Sequence, residues 1–355
     1  MSIADPFSTR TVKLPLATST WDDREVLTAL KVLESGHTTA GKIVREFEDA
    51  FAAYIGTRYA VMVNSGSSAN LLMVAAYTLR HGKGTVVVPA VSWSTSYSPF
   101  EQYGWRLVFV DVDDSLTIDP EQARAAFTKY RAACVLGVNL LGNPCAYEDL
   151  PDQILEDNCE SLGASYRGHK TGAIGAMGTH SFFFSHHLNT MEGGMITTND
   201  RTYYEMLLSL RAHGWTRDLP TPNTLGVLPE PFGFLYPGYN VRPLEVEAAI
   251  GLVQLQKLPD AIAVRRANAA RCPLPLPREI GQSSWFGFAT PKTAALDAAC
   301  ETRPVVAGNF TRSPALRYYR DTVVHGPLAM ADRVHDTYCY IGNHATEIDW
   351  SSVLA

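Results

Sequence analysis

Two adjacent histidines carry the side chains in this sequence best suited to proton transfer. His186 and His187 stand between an apolar run and a Gly-rich turn, in the segment SFFFSHHLNTMEGGM of residues 181–195. An imidazole gains and loses a proton near neutral pH, so His186 is a candidate base. A metal site and two ordinary loop histidines are the alternatives. A catalytic zinc site needs about three protein ligands, which this segment does not supply, so we predict no metal.

A second motif is suited to binding a phosphate group. Residues 64–70 read NSGSSAN and lie between a predicted strand and the helix-period run LLMVAAY. A Gly-bearing turn that begins a helix presents unpaired backbone N–H groups and the positive end of the helix dipole, which attract an anion. Simple capping of the helix is the alternative explanation.

Two further motifs follow predicted strands. In PAVSWST, residues 89–95, Trp93 stands at the C-terminal end of a strand, where open α/β sheets bind ligands; a core tryptophan is the alternative. In EDNCE, residues 156–160, Glu156, Asp157 and Glu160 stand at the end of an apolar strand. Carboxylates in such a place are rarely fully buried without a partner, so a cationic ligand or an arginine is expected, unless the loop is solvated.

The composition is that of a globular protein without a footprint for nucleic acid. The chain has 355 residues, 46% of them hydrophobic and 19% charged, enough for two domains of roughly 100–200 residues each. A net charge of -6 without Lys or Arg runs predicts neither nucleic acid nor an anionic membrane as a partner. No secretory stretch and no run of about 20 apolar residues is present, which predicts a cytoplasmic protein. Six scattered cysteines without a CxxC pair favour reduced thiols.

The elements that must position these motifs alternate between helix and strand. From about residue 20 to 200, helix-period and β-rich stretches follow one another, which is typical of an α/β fold. Several strands are apolar on both faces, as is typical of a buried, mostly parallel sheet, so we predict a mixed seven-stranded sheet flanked by helices. Its strands are Tyr59–Val63, Thr85–Val91, Leu107–Val112, Ala132–Leu141, Ile154–Asp157, Thr179–Ser185 and Gly194–Thr198.

Helices are predicted on either side of these strands. The first follows Asp22, ends at Gly36 and has an apolar face made of Val26, Leu27, Leu30 and Leu33. Other helices cover residues 42–54, 120–130 and 202–212. A Pro- and Gly-rich loop, residues 214–242, is long enough to indicate a function. A long helix then begins at Pro243, and a smaller α+β domain is predicted from about residue 261.

In order and spacing, the four motifs resemble the DegT/DnrJ/EryC1/StrS family of sugar aminotransferases, over nearly the whole chain. The resemblance implies a fold-type I, aspartate aminotransferase-like transferase dependent on pyridoxal phosphate (PLP), active as a homodimer with shared active sites. It divides the chain into an N-terminal tail (1–11), a large PLP-binding domain (12–258) and a small C-terminal α+β domain (259–355). Two stretches of the small domain, 267–284 and 290–303, are shorter than the family pattern predicts.

One residue departs from the family pattern. The family carries its cofactor-binding lysine six residues before the acidic residue of an EGG or DGG element, and six residues before Glu192 stands His186. An imidazole cannot tether the cofactor aldehyde as an amine does, yet it still transfers protons. With this substitution the sequence resembles the 3-dehydratase branch of the family.

That branch implies a reaction and its partners. PLP and its amine form, pyridoxamine phosphate (PMP), would be held non-covalently. The substrate would be a nucleotide-linked, namely GDP-linked, 4-keto-6-deoxyhexose that loses its C3 hydroxyl. L-Glutamate would regenerate PMP, and ammonia would be released. The resemblance places this chemistry in deoxysugar biosynthesis, of the kind that supplies colitose to lipopolysaccharide O-antigen.

The resemblance also assigns roles to individual residues. Asp157 would pair with the pyridine nitrogen, Trp93 would stack on the ring, and Glu160 would lie near the ring hydroxyl. The phosphate would be received by Gly66, Ser67, Ser181 and, from the neighbouring subunit, Asn240. Contacts to the substrate or the amino donor would come from His213, Arg217 and Arg303.

Two other functions compete with this interpretation. A related CDP-hexose 3-dehydrase type of enzyme would pass electrons through an iron–sulfur cluster, which the scattered cysteines disfavour. A catalytically silent regulatory or scaffold protein that only binds PMP would also lack the lysine. The presence of the other cofactor motifs argues against such decay.

Overall fold

The computed structural model describes residues 12–355. The predicted tail, residues 1–11, lies outside this range. The described residues form twelve strands: β1 (Tyr59–Val63), β2 (Thr85–Pro89), β3 (Arg106–Val110), β4 (Cys134–Val138), β5 (Ile154–Asp157), β6 (Ser165–Tyr166), β7 (His169–Lys170), β8 (Met177–Ser181), β9 (Gly194–Thr198), β10 (Gly287–Pro291), β11 (Thr322–Val324) and β12 (Tyr338–Gly342).

Eight of these strands form the main sheet of the described chain, in the order β1-β9-β8-β5-β4-β2-β3-β11. Neighbouring strands are parallel except at β9, which is antiparallel to both β1 and β8. The carboxyl ends of β1, β2, β4, β5 and β8 therefore lie along one edge. In open α/β sheets this edge is where ligands bind.

The mixed α/β sheet is confirmed, with one strand more than the seven predicted. The additional strand is β11, which pairs in parallel with β3 and places Thr322 beside Leu107. It has three residues, none of them buried, so it shows no hydrophobic pattern from which to predict a strand.

Two predicted strands end earlier than expected because the chain turns. The strand predicted over Ala132–Leu141 ends at Val138, since Leu141 adopts a positive φ of 52° within a short 3-10 turn. The strand predicted over Thr179–Ser185 ends at Ser181. There the backbone N–H of His186 donates to the carbonyl oxygen of Phe183 and closes a turn.

Helices cover both faces of the main sheet. The described residues form ten α-helices: α1 (Asp23–Ser35), α2 (Lys42–Ile55), α3 (Gly66–His81), α4 (Ser94–Gln102), α5 (Pro120–Tyr130), α6 (Arg201–Arg211), α7 (Glu245–Ala270), α8 (Ala294–Ala299), α9 (Ala329–Thr337) and α10 (Trp350–Leu354). One face packs against α3, α4 and α6, and the other against α2, α5 and α7. No helix among residues 12–355 is both long and apolar enough to cross a bilayer.

The C-terminal part contributes to two hydrophobic cores. The antiparallel pair β10–β12 packs Phe288 and Ile341 against Trp350 of α10. Phe310 and Val334, in contrast, pack in the core of the main sheet. Helix α7 continues through position 258, where the sequence predicts the domain boundary, and that boundary remains a prediction.

Candidate active site

The four chemistry-bearing motifs meet at the carboxyl edge of the main sheet, because each lies at the end of one of its parallel strands. Residues 64–70 follow β1, residues 90–95 follow β2, Asp157 ends β5 and Ser181 ends β8. The antiparallel strand β9 begins at the same edge with Gly194. A Cβ at Gly194 would collide with the backbone of Ser65, so the close approach of these two segments requires glycine.

The start of α3 forms a cradle of suitable shape for a phosphate. A Cβ at Gly66 would lie 2.6 Å from the Cβ of Ser181 and 2.9 Å from the Sγ of Cys159, so the ends of three strands crowd this helix terminus. Ser65 caps the helix by accepting from the N–H of Ser68 at 3.1 Å. The first N–H groups of the helix have no partner within it. Ser67 directly follows Gly66. Three of the predicted phosphate contacts, Gly66, Ser67 and Ser181, therefore lie together at this cradle.

Trp93 borders the cradle. It immediately precedes α4 and is 57% exposed, so it is not a core tryptophan in this chain. The hydroxyls of Ser67 and Thr95 are 2.9 Å apart and join the starts of α3 and α4. The indole therefore remains available to stack on a ligand.

Asp157 is held in a fixed position by two side chains that the sequence analysis did not single out. Its Oδ2 accepts from Asn70 Nδ2 at 2.9 Å and from Ser96 Oγ at 2.7 Å, and its Oδ1 accepts from the N–H of Cys159 at 3.1 Å. Thr179 in turn donates to Asn70 at 2.6 Å. Asn70 and Ser96 interrupt otherwise apolar helix faces, a pattern that could have marked both as polar partners.

Glu156, next to Asp157, is held by hydrogen bonds that stabilise the fold. Its carboxylate accepts from the N–H groups of Gly172, Ile174 and Gly175 at 2.6–2.8 Å and from the Tyr147 hydroxyl at 2.9 Å. No arginine or lysine forms an ion pair with it among residues 12–355. Backbone donors therefore take the place of the cation expected for this acidic cluster. Glu156 and Asp157 are successive residues of β5, and their side chains point to opposite faces of the sheet, so the two carboxylates have different partners.

Glu160 lies one turn beyond Asp157. Its Oε2 accepts from the N–H of Leu141 at 3.0 Å. Burial, aided by the negative charge of Asp157, raises the pKa of Glu160 to about 7. This carboxyl is therefore partly protonated at neutral pH and can donate or accept a hydrogen bond.

The raised pKa of Glu160 predicts a pH dependence of stability. A carboxyl with a folded-state pKa above its unfolded value stabilises the folded state below the unfolded pKa and loses that contribution as pH rises through about 7. Relative to Glu160→Gln, which mimics the protonated form, the wild type should thus lose free energy of unfolding between pH 5 and 8. Urea denaturation of both proteins at the two pH values measures this, and a constant difference would contradict it.

His186 lies on the turn after β8 and faces an aromatic platform. Its ring centroid is 5.0 Å from that of Phe286 and 5.9 Å from that of Phe183. Its Nδ1 is 3.5 Å from the Ser185 hydroxyl. Burial, and then the positive charge of Arg265, lowers the pKa of His186 to about 3, so the imidazole is uncharged at neutral pH.

His187 points to a different place from His186. It is buried, and its Nε2 lies 3.1 Å from the carbonyl oxygen of Ser284. Within residues 12–355, no three His, Cys, Asp or Glu side chains come together as ligands for a metal ion.

The predicted binding residues in and next to the long loop contact other loop residues and not His186. The His213 Nε2 is 2.7 Å from Arg242 Nη1, and the Arg217 guanidinium lies 3.6 Å from the ring centroid of Trp215. Asn240 is exposed, and its backbone pairs with that of Ala212. These interactions keep the loop residues together, and none of them touches His186.

Arg303 lies on the C-terminal part. Its backbone pairs with Tyr340 and its side chain is largely exposed, 3.4 Å from a Glu301 oxygen. Tyr340 stacks on Phe286, the ring that faces His186, with centroids 6.0 Å apart. Arg303 is thus connected to the His186 side of the site through Tyr340 and Phe286.

The residues present fit a PLP-type cofactor. The cradle at Gly66 and Ser181 suits a phosphate, an anchored carboxylate at Asp157 suits a pyridine nitrogen, and Trp93 offers an exposed ring face. Together with the mixed sheet, this arrangement defines a PLP-dependent enzyme of the aminotransferase fold. The model of the DegT/DnrJ/EryC1/StrS aminotransferase family matches residues 20–278, and the chain belongs to this family.

Particular relatives cover almost the entire chain. The GDP-4-keto-6-deoxy-D-mannose 3-dehydratase of Escherichia coli O55:H7 is 44% identical over 376 positions, 95% of this chain and 97% of that enzyme. A His-to-Asn variant of GDP-4-keto-6-deoxymannose-3-dehydratase with bound GDP-perosamine superposes with a TM-score of 0.88 at 44% identity, covering 94% of this chain and 96% of that one. A structure of that enzyme with a trapped PLP-glutamate geminal diamine has a TM-score of 0.90 at 43% identity, covering 96% and 100%.

Proposed function

We propose that this chain is a PLP/PMP-dependent nucleotide-sugar 3-dehydratase that removes the C3 hydroxyl of GDP-4-keto-6-deoxy-D-mannose. L-Glutamate is the amino donor, and the products are the 3-deoxy-4-ketosugar, 2-oxoglutarate and ammonia. Relatives of this name align over 95% of the chain, and their solved structures hold a GDP-sugar and a glutamate adduct of PLP. The cytoplasmic location and the place in surface-sugar biosynthesis predicted from the sequence belong to the same proposal.

The observation that carries the proposal is an imidazole in the place of the family's lysine. His186 stands six residues before Glu192, while the cradle at Gly66 and the anchored Asp157 are both present. A site that had decayed would have no reason to keep a buried carboxylate with two dedicated donors. The chain lacks the lysine that would tether the cofactor but keeps the other residues of the cofactor site. This combination favours an enzyme whose reaction differs from that of the aminotransferases.

Each residue of the site then has a task. When bound, the cofactor supplies an amine that joins the sugar at C4 and a ring that withdraws electrons. Asp157, fixed by Asn70 and Ser96, holds the pyridine nitrogen protonated. His186 takes a proton from the carbon that bears the cofactor amine and returns it to the C3 oxygen as that oxygen leaves.

The remaining predicted residues are assigned to binding. Gly66, Ser67 and Ser181 hold the phosphate, and Trp93 covers the ring. Glu160, partly protonated at neutral pH, lies beside the ring hydroxyl. Substrate and amino donor are bound by His213, Arg217 and Arg303, since an arginine fork suits a diphosphate or a glutamate carboxylate.

The function is tested by incubating the protein with PLP, L-glutamate and GDP-4-keto-6-deoxymannose. We expect a sugar product lighter by one oxygen atom, with one 2-oxoglutarate and one ammonia per turnover, and no product without glutamate. Activity confined to CDP-sugars together with bound iron would favour the electron-transferring enzyme. No turnover of any nucleotide-linked 4-ketosugar would favour the silent scaffold.

The homodimer is part of this proposal, and α1 supports it. The apolar face predicted for this helix is not covered by the chain itself: Val26, Leu27, Leu30 and Leu33 are 48–56% exposed. The opposite face, with Val32, packs on α7. A row of four half-exposed aliphatic side chains is a surface that a second copy would cover. The exposed Asn240 is likewise placed to serve a neighbouring subunit's site.

Charges on this face should therefore separate the subunits. Burial of a leucine contributes about 1.5–3 kcal/mol, so the pair Leu27→Lys and Leu30→Lys should weaken the dimer at least about 100-fold, with a parallel loss of activity. Analytical ultracentrifugation measures the change. Ser35→Lys, which adds a cation at an exposed position of the same helix but off the apolar face, is the matched control and should remain dimeric. A doubly substituted protein that stays dimeric would contradict the assignment.

A further inference from the structure

Arg265 is a buried cation behind the candidate base. It lies on α7, is 5% exposed, and donates from Nη1 to the carbonyl oxygens of Phe286 at 2.9 Å and Asn343 at 2.5 Å. Its Nε has no partner, and no carboxylate forms an ion pair with it within the described residues. A buried charge without a counter-ion costs several kcal/mol, so stability alone does not account for this arginine.

The first connection between Arg265 and His186 runs through Phe286. Arg265 fixes the backbone of Phe286, whose ring lies 5.0 Å from that of His186 and 5.6 Å from that of His187. The Phe286 ring also stacks on Tyr340. Movement of the Phe286 backbone would thus shift the surface against which the His186 imidazole rests.

The second connection is electrostatic. Burial lowers the pKa of Arg265 to about 10, so the guanidinium keeps its charge at neutral pH, and that charge lowers the pKa of His186. The other groups nearby are neutral or face elsewhere. His187 is uncharged, Tyr340 interacts electrostatically with both Arg265 and Glu160, and Arg266 donates to the carbonyl oxygens of Ser283 and Gly163.

We propose that Arg265 is a positioning residue for the dehydration, which holds the Phe286 ring against His186 and keeps the His186 imidazole in its uncharged, proton-accepting form. This inference rests on the proposed role of His186 as the base. An imidazolium beside a buried cation is also a strong acid, which suits rapid return of the proton to the departing C3 oxygen.

The test follows the charge state of His186 directly. In the full chain labelled with ¹³C at histidine Cε1, the His186 signal, assigned by its loss in His186→Asn, is followed by NMR from pH 3 to 8. In the wild type we expect the midpoint at about pH 3, the acid end of this range. In Arg265→Gln the midpoint should move upward by about one pH unit or more, while Arg265→Lys, which keeps the charge, should remain close to the wild type.

Arg266→Gln is the matched control, because it removes the neighbouring guanidinium without touching Phe286. It should leave the His186 signal unchanged. If Arg265→Gln does not fold, Arg265→Met is used in its place, because methionine keeps the apolar stem of the arginine side chain and removes the charge. An unchanged midpoint in the neutral variant, or a wild-type His186 that titrates near 6.5, would overturn the inference.

Turnover separates this inference from the proposed function. The ratio of kcat/KM at pH 4 to that at pH 8 should fall about twofold or more in Arg265→Gln and recover in Arg265→Lys. A wild type that dehydrates no nucleotide sugar would defeat the proposed function, whereas the NMR result would still decide whether Arg265 controls the charge of His186.

Discussion

Replacing His186 with asparagine should abolish the dehydration while leaving cofactor binding largely intact. Asparagine is similar in size to histidine but accepts no proton at neutral pH, and general base catalysis contributes about 10²–10⁴-fold to a rate. The contacts assigned to the cofactor belong to other residues, among them Gly66, Ser181 and Asp157. Product formation by mass spectrometry and PLP binding by absorbance measure the two properties separately.

His186→Lys is the complementary variant. It restores the family's amine, so borohydride reduction followed by mass spectrometry should attach the cofactor to the introduced lysine, with dehydration suppressed. In the wild type no lysine should carry the cofactor. A pyridoxyl-lysine in the wild type, or an undiminished elimination rate in His186→Asn, would show that another group is the base.

Replacing Asp157 with asparagine should have the second largest effect. Removal of the carboxylate deprives the pyridine nitrogen of its anionic partner, and loss of one such electrostatic stabiliser costs about 10²–10³-fold in kcat. The carbonyl oxygen of asparagine can still accept from Asn70 and Ser96, but its amide would face the N–H of Cys159, so the free energy of unfolding should fall by about 1–3 kcal/mol. Single-turnover kinetics with pre-formed PMP measure the loss in the dehydration step itself.

Glu156→Gln is the matched control for Asp157→Asn, because the two carboxylates are adjacent and both buried. This substitution is not expected to affect the cofactor; the introduced amide would instead face one of the backbone N–H groups that donate to Glu156. The unsatisfied donor should lower the free energy of unfolding by about 1–3 kcal/mol. A kinetic loss without a stability loss in this variant would contradict the division of roles.

The sequence by itself predicted seven of the eight strands of the main sheet, the motifs that follow four of them and, through the family resemblance, the candidate base. These features are local: strand periodicity, a Gly-bearing turn before a helix, and a count of six residues from Glu192 back to His186. Once the sheet was predicted to be mostly parallel, the motifs had to meet at its carboxyl edge, because parallel strands end at the same side.

The tertiary structure alone decided which side chains support these motifs. Asn70 reaches Asp157 across 87 residues of sequence, and Arg265 reaches the backbone of Asn343 across 78. The eighth strand, the exposed face of α1 and the platform beneath His186 also depend on contacts between distant segments. Local periodicity does not predict such contacts. They arise from packing between elements, and the relative positions of these elements are defined only in the assembled fold.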